Sequence, residues 1–147
     1  MTRRIVVLNG PNLNLLGTRE PHIYGSSTLA DVEALCARAA GEHDLQVTCR
    51  QSNHEGVLVD ALHEAAADEE VVGVVLNAGA YTHTSVALLD AVRATDLAVV
   101  EVHLSNPHAR ESFRHTSYLS PVAVAVIAGA GVHGYRYAID LLATRRE

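Results

Sequence analysis

An α/β fold is predicted by three features of this 147-residue sequence: short β-branched runs, amphipathic helical patterns between them, and regular alternation of the two. Four apolar runs, 5–8 (IVVL), 71–76 (VVGVVL), 97–100 (LAVV) and 122–127 (VAVAVI), read as strands buried on both faces. A fifth, 45–50 (LQVTCR), alternates and reads as an edge strand with one wetter face. Between the strands, Leu29, Val32, Leu35, Cys36 and Ala39 mark one helical face, and Val57, Leu58, Ala61, Leu62 and Ala65 a second. Val86, Leu89 and Val92 mark a third, and Tyr135, Ala138, Ile139 and Leu142 a fourth. Such alternation requires a parallel sheet with helices on both faces. Five strands in a chain of this length predict the flavodoxin-like three-layer sandwich with strand order 2-1-3-4-5.

Composition bounds the function. With 48% hydrophobic and 19% charged residues, the chain can bury a real core, and 1–147 is read as a single catalytic domain. A formal charge of −6 argues against a nucleic-acid groove, although arginines can still gather around a small anionic ligand. Cys36 and Cys49 form neither a disulfide framework nor a metal-ligand spacing and are read as buried free thiols. The start, Met-Thr-Arg-Arg and four apolar residues, is too short for a signal peptide, and no run approaches a membrane span. A cytoplasmic location with no membrane partner is therefore expected.

All 11 cationic side chains are arginines, at 3, 4, 19, 38, 50, 93, 110, 114, 136, 145 and 146. Arginine stays protonated at working pH, so a mechanism through a Schiff base has no side chain to perform it.

In the predicted fold, ligands bind outside the carboxyl ends of the strands. The long segment from about 10 to 26 follows the first strand, and Gly10, Pro11, Gly17, Pro21 and Gly25 are expected to keep it irregular, as a lid. Gly129, Gly131 and Gly134 spell G-x-G-x-x-G, but no further βαβ unit follows, so tight turning and close helix-sheet packing explain them better than a dinucleotide. Glu101 and His103 share a strand face, yet no H-E-x-x-H or Cys-His cluster supports a metal. His22, His43, His54, His63, His108 and His133 read as surface or structural residues, and Glu55 with Ser52 as a capping box for a helix starting near 54. The acidic and lysine positions of a response regulator are missing, and Asn9-Gly10-Pro11-Asn12 is a poor flavin-phosphate cradle because Pro11 lacks an N–H.

Polar residues nevertheless crowd three strand ends: Asn12, Arg19 and Tyr24 after the first; Asn77 and Tyr81 to Ser85 after the third; Glu101, His103, Ser105 and Asn106 after the fourth. Spacing of two aims Glu101, His103 and Ser105 the same way, and His83 and Asp90 are expected to share a helix face. Two other readings of this constellation remain open: a metal-assisted hydrolase using His83, Glu101 and His103, and a non-catalytic flavin- or nucleotide-binding module.

The strings NGPNLNLLGTREPHIYG (9–25), RQSNHEG (50–56), NAGAYTHTS (77–85), EVHLSN (101–106) and FRHTSYLSP (113–121) resemble type II 3-dehydroquinate dehydratase, in order and over essentially the whole chain. The resemblance implies dehydration of 3-dehydroquinate to 3-dehydroshikimate through an enolate, in the shikimate pathway; no cofactor and no metal are expected. It also implies trimers assembled into a homododecamer. By the same resemblance Tyr24 is the base, His103 the acid, Arg19 the neighbour of Tyr24, Asn12 the holder of a water at the enolate, and Glu101 the residue that orients His103. Asn77, His83, Leu104, Ser105 and Arg114 contact substrate, and Asp90 reaches a neighbouring subunit's site. Ala78 and His133 stand where the family more often has proline and glutamine, at positions without an assigned role.

The missing lysine separates this route from the imine route to the same product. Borohydride added with substrate is accordingly expected to leave the enzyme active. Inactivation with an adduct detected by mass spectrometry would overturn that expectation.

Overall fold

The computed structural model describes residues 2–18 and 20–145, with the Tyr24 side chain outside that description. Strands β1 (Arg4–Asn9), β2 (Gln46–Gln51), β3 (Val71–Asn77), β4 (Val99–His103) and β5 (Ala125–Ala128) form one parallel sheet in the order β2-β1-β3-β4-β5. The helices between them are α1 (Pro21–Tyr24), α2 (Leu29–Gly41), α3 (Glu55–Ala66), α4 (Val86–Ala94) and α5 (His133–Thr144). Alternate residues of each strand feed opposite layers. Ile5, Val7, Val75, Val100 and Val102 pack with α2 and α5, while Val6, Leu8, Val74, Leu76 and Val99 pack with α3 and α4. The predicted three-layer arrangement and strand order are therefore those observed.

Four details differ from the sequence reading. β5 is shorter than 122–127, because Ser120–Val122 forms a 3-10 turn, and it is half-buried on one face only: Val126 is 48% exposed on the sheet edge. The buried face of α4 is Leu88, Ala91 and Val92, whereas Val86 is 55% exposed. The segment after β1 is not irregular throughout, since it contains a 3-10 helix at Leu13–Leu15 and the short α1, which begins at Pro21. Proline suits a first helical turn, where its missing N–H has no partner to lose. Leu13 and Leu16 are buried against the core, so the first half of the expected lid is anchored.

The fourth detail concerns capping. Ser52 does not box with Glu55; its Oγ accepts from His54 N at 3.0 Å, and α3 starts without a side-chain cap. The capping box belongs instead to α2, where Thr28 and Asp31 satisfy each other's backbone N–H.

The glycine turn after β5 behaves as the packing reading expects. Gly129 and Gly131 have φ of 84° and 60°, and a Cβ on Gly134 would stand 3.4 Å from Val102 and Ile127. His43 is a structural histidine paired with Asp140 at 2.8 Å. Both cysteines are free, Cys36 buried and Cys49 half-buried. Among the described residues no helix is long and apolar enough to cross a membrane.

β1 and β3 end together, Asn9 opposite Asn77, and the next peptide crosses between them, with Gly10 N donating to Asn77 O at 2.7 Å. A Cβ on Gly10 would lie 2.4 Å from Ala78 O. Gly10→Ala is expected to force the two strand ends apart at a cost of about 1–3 kcal/mol, measured by urea denaturation, with turnover falling alongside.

Candidate functional site

The carboxyl ends of β1, β3 and β4 surround a cavity of about 190 Å³. That is smaller than the roughly 300–1,000 Å³ of typical drug-sized sites, and it suits a small ring better than a nucleotide. Asn12, Asn77, His83, His103, Leu104, Ser105 and Arg114 all line it, so seven residues proposed from sequence are brought together. Asp90 is not in the wall; it lies exposed on α4. His83 belongs to the 3-10 helix Gly79–His83, which ends before α4 begins, so the expected shared helix face with Asp90 does not exist. Arg19 and the side chain of Tyr24 lie outside the described residues.

Asn12 is held in the left-handed region, φ 70°, and its N–H donates to Asn53 Oδ1 at 3.0 Å. The brace comes from the end of β2. Gln51 Nε2 donates to Gly10 O and to Asn53 Oδ1, both at 3.1 Å, and Tyr81 Oη donates to Asn53 O at 2.7 Å. The string at 50–56 thus acts by holding the loop that carries Asn12.

Asn77 is oriented from below. Gly79 N–H can only donate, and its bond to Asn77 Oδ1 at 3.2 Å fixes which end of the amide is oxygen. Asn77 Nδ2 then donates to Tyr135 Oη at 2.9 Å, and Tyr135 donates onward to Asn9 Oδ1 at 2.6 Å. Burial pushes the Tyr135 hydroxyl up, against the Asn77 hydrogen bond, so it stays neutral and passes the direction along.

At β4, Glu101 is 1% exposed and sits behind His103 rather than in the cavity wall. Its Oε2 pairs with His103 Nε2, while Ser120 and Ser117 hydroxyls donate to Oε1 at 2.7 and 3.1 Å. Burial opposes its ionisation, but the hydrogen bonds from His103, Ser120 and Ser117 and the His103 charge together hold the carboxyl below the usual carboxylate range. A carboxyl depressed by folding stabilises the native state at neutral pH, and that contribution is lost only as pH falls through its lowered folded value. With Nε2 committed to Glu101, Nδ1 is the His103 nitrogen left for a ligand.

His83 faces His103 with ring centroids 6.4 Å apart. Its Nδ1 meets Thr116 O at 2.8 Å; a carbonyl only accepts, so Nδ1 carries the proton and Nε2 remains for the site. Arg114 Nε donates to Glu111 at 3.0 Å. These bonds already occupy Glu101, His103 Nε2 and His83 Nδ1, which leaves a poor ligand set for the metal-assisted reading.

The family model for class II dehydroquinases matches residues 3–143. The chain belongs to the class II dehydroquinase family. It is 65% identical over 146 residues to the 3-dehydroquinate dehydratase of Acidovorax ebreus (strain TPSY), covering 97% of this chain and 99% of that one. It is 60% identical over 147 residues to that of Corynebacterium glutamicum (strain R), with both chains fully covered. The crystal structure of type II dehydroquinase from Propionibacterium acnes superposes with a TM-score of 0.93 at 42% identity, over 99% of each chain.

Two residues that shape this cavity escaped the sequence reading. Arg110 lines the cavity and also an adjoining one walled by Ile23 and Gly25, the residues flanking Tyr24. Its place four residues before Arg114 in a chain with 11 cations was an available signal. Tyr135 was read as core and is core, but its hydroxyl reaches Asn77 across 58 positions, which no local pattern announces.

Tyr135→Phe leaves Asn9 Oδ1 and Asn77 Nδ2 buried and unpaired. Stability is expected to fall by about 1–3 kcal/mol in urea denaturation, with KM for substrate raised as Asn77 loses its orientation. A wild-type KM in the folded variant would confine the network to a structural role.

Proposed function

We propose that this chain is a type II 3-dehydroquinate dehydratase, a hydro-lyase that removes water from 3-dehydroquinate to give 3-dehydroshikimate in the shikimate pathway. The observation that carries this reading is the His103–Glu101 pair opening on a small cavity also lined by Asn12, Asn77, His83, Ser105 and Arg114, in a chain of the class II dehydroquinase family.

The proton removed lies α to a ketone, so its loss gives an enolate, and the departing hydroxyl, β to that ketone, needs a proton as it leaves. Tyr24 is assigned as the base and His103 as the acid. A tyrosine with an ordinary pKa of about 10 is ionised only about one part in a thousand at pH 7, a penalty of roughly 4 kcal/mol. A neighbouring guanidinium offsets much of it. Arg19 is assigned that role, and Arg110, at the cavity shared with Ile23 and Gly25, is a second cation in the same region. Asn12 holds a water at the enolate oxygen; Ser105 and the backbone at Leu104 receive the substrate carboxylate; Asn77, His83 and Arg114 bind its remaining polar groups. Elimination by these groups uses no cofactor and no metal. Of the segment 10–26, only the part beyond the anchored Leu13 and Leu16 is assigned as a lid.

Assembly into trimers and a dodecamer is part of the same reading. Val86, Phe113 and Val126 are 55%, 65% and 48% exposed, and Asp90 lies on the same helix as Val86, where a neighbouring subunit can be reached. The enzyme is placed in the cytoplasm.

Adding 3-dehydroquinate is expected to produce the conjugated enone absorbance of the product; its absence with the folded protein would overturn the assignment. Tyr24→Phe is expected to lower kcat by about 10²–10⁴-fold while substrate-analogue binding, followed by calorimetry, persists. Near-normal turnover would remove Tyr24 as the base.

A further inference from the structure

We propose that Ser117 and Ser120 are positioning residues for the proton donor: their hydroxyls hold Glu101 as an oriented anion, and through it hold His103 ready to protonate the departing hydroxyl. The proposal rests on the reading of His103 as the acid and reaches one step behind it.

Glu101 lies within the sheet, opposite Leu76 on β3 and Val126 on β5, with almost no water to solvate it. A carboxylate placed there must fill its lone pairs from the protein. His103 fills one oxygen, and the two serines fill the other at 2.7 and 3.1 Å. They arrive from a segment 16 and 19 residues further along the chain.

Direction matters as much as distance. Ser117 Oγ accepts from both Leu119 N and Ser120 N, each at 3.1 Å. Its two lone pairs are thereby used, and its one proton can only be given, to Glu101. A proton on Glu101 Oε1 would find no acceptor in Ser117. Ser117 therefore favours the charged carboxylate, and the lowered Glu101 carboxyl agrees with that preference.

The charged and titratable groups around the pair, among the described residues, are His83 from the 3-10 helix after β3, and Arg110 and Arg114 with Glu111 from the segment after β4. The strand residues paired with Glu101 are apolar. No cation among these is hydrogen-bonded to Glu101. The hydroxyls are therefore the neutral donors that keep Glu101 an anion, and an anionic Glu101 stabilises the imidazolium that donates the proton.

Ser120 gives the cleaner test, because among the described residues its hydroxyl bonds only Glu101, whereas Ser117 also ties backbone. kcat and KM are measured across pH for the full chain and for Ser120→Ala, Ser120→Thr and Ser120→Cys, with thermal melting as the fold control. In Ser120→Ala, kcat is expected to fall about tenfold, KM to stay within about twofold, and the basic limb of the kcat profile to move about one unit to lower pH. Ser120→Thr, which keeps the hydroxyl, restores both, and Ser120→Cys, a weak donor, lies between. An unmoved limb, a loss of kcat that threonine does not rescue, or a change carried mainly by KM would overturn the clamp. Should the alanine variant not fold, the threonine and cysteine variants decide by the same limb positions. His103→Ala is measured alongside: wild-type turnover there would sink the reading of His103 as acid together with the clamp, whereas an inactive His103→Ala beside an unaltered Ser120→Ala would sink the clamp alone.

Discussion

The site is organised around a carboxylate that has been taken out of water. Glu101, on a central part of the sheet, must be compensated by the protein, and each compensating bond places something else. Its bond to His103 Nε2 sets the imidazole plane and frees Nδ1 toward the cavity. The bonds from Ser117 and Ser120 draw the chain after β4 back over the sheet end. Once that segment is pinned, Thr116 O meets His83 and Arg114 reaches the cavity wall. Three ligand-facing groups thus inherit their positions from one buried charge.

A second network does the same for the other half of the site, using neutral groups. Gly79 N–H, Asn77, Tyr135 and Asn9 form a one-way series of hydrogen bonds beneath the ends of β1 and β3. Because its first donor is a backbone N–H, every later amide and hydroxyl has its orientation determined. The close approach at Gly10 keeps the strand ends at the spacing this series needs. Around the rim, Gln51, Asn53 and Tyr81 hold the Asn12 turn in its left-handed conformation. The catalytic face is therefore built on bonds that belong to the scaffold, which suits chemistry demanding accurate placement of one base and one acid.

The chain's composition fits this design. With no lysine, the site has cations that cannot lose their protons, and in the proposed mechanism acid-base work falls to groups that titrate: a tyrosine, a histidine and the carboxylate behind it. Arg110 and Arg114 share Glu111 between them, so cationic charge is present at the cavity while part of it is already answered.

The sheet, its strand order and the end of it that carries the cavity were legible in the sequence, because alternating buried strands and amphipathic helices leave few ways to bury both faces. The strings after β1, β3 and β4 likewise named most of the cavity wall, since residues directly following a strand must emerge at its carboxyl end. What sequence could not supply were relations across distance. β5 was read as doubly buried because its composition is apolar, although the predicted order already put it at the edge, and in the structure Val126 is left outward and half exposed. Ser52 had the spacing of a cap, yet the turn geometry gave its hydroxyl to His54 instead. Tyr135 was read as core and Ser120 was given no role, until folding set one hydroxyl against Asn77 and the other against Glu101. Periodicity by itself determined which faces are buried; only the packed chain decided which polar atoms meet, because a hydrogen bond depends on positions in space that residue spacing does not encode.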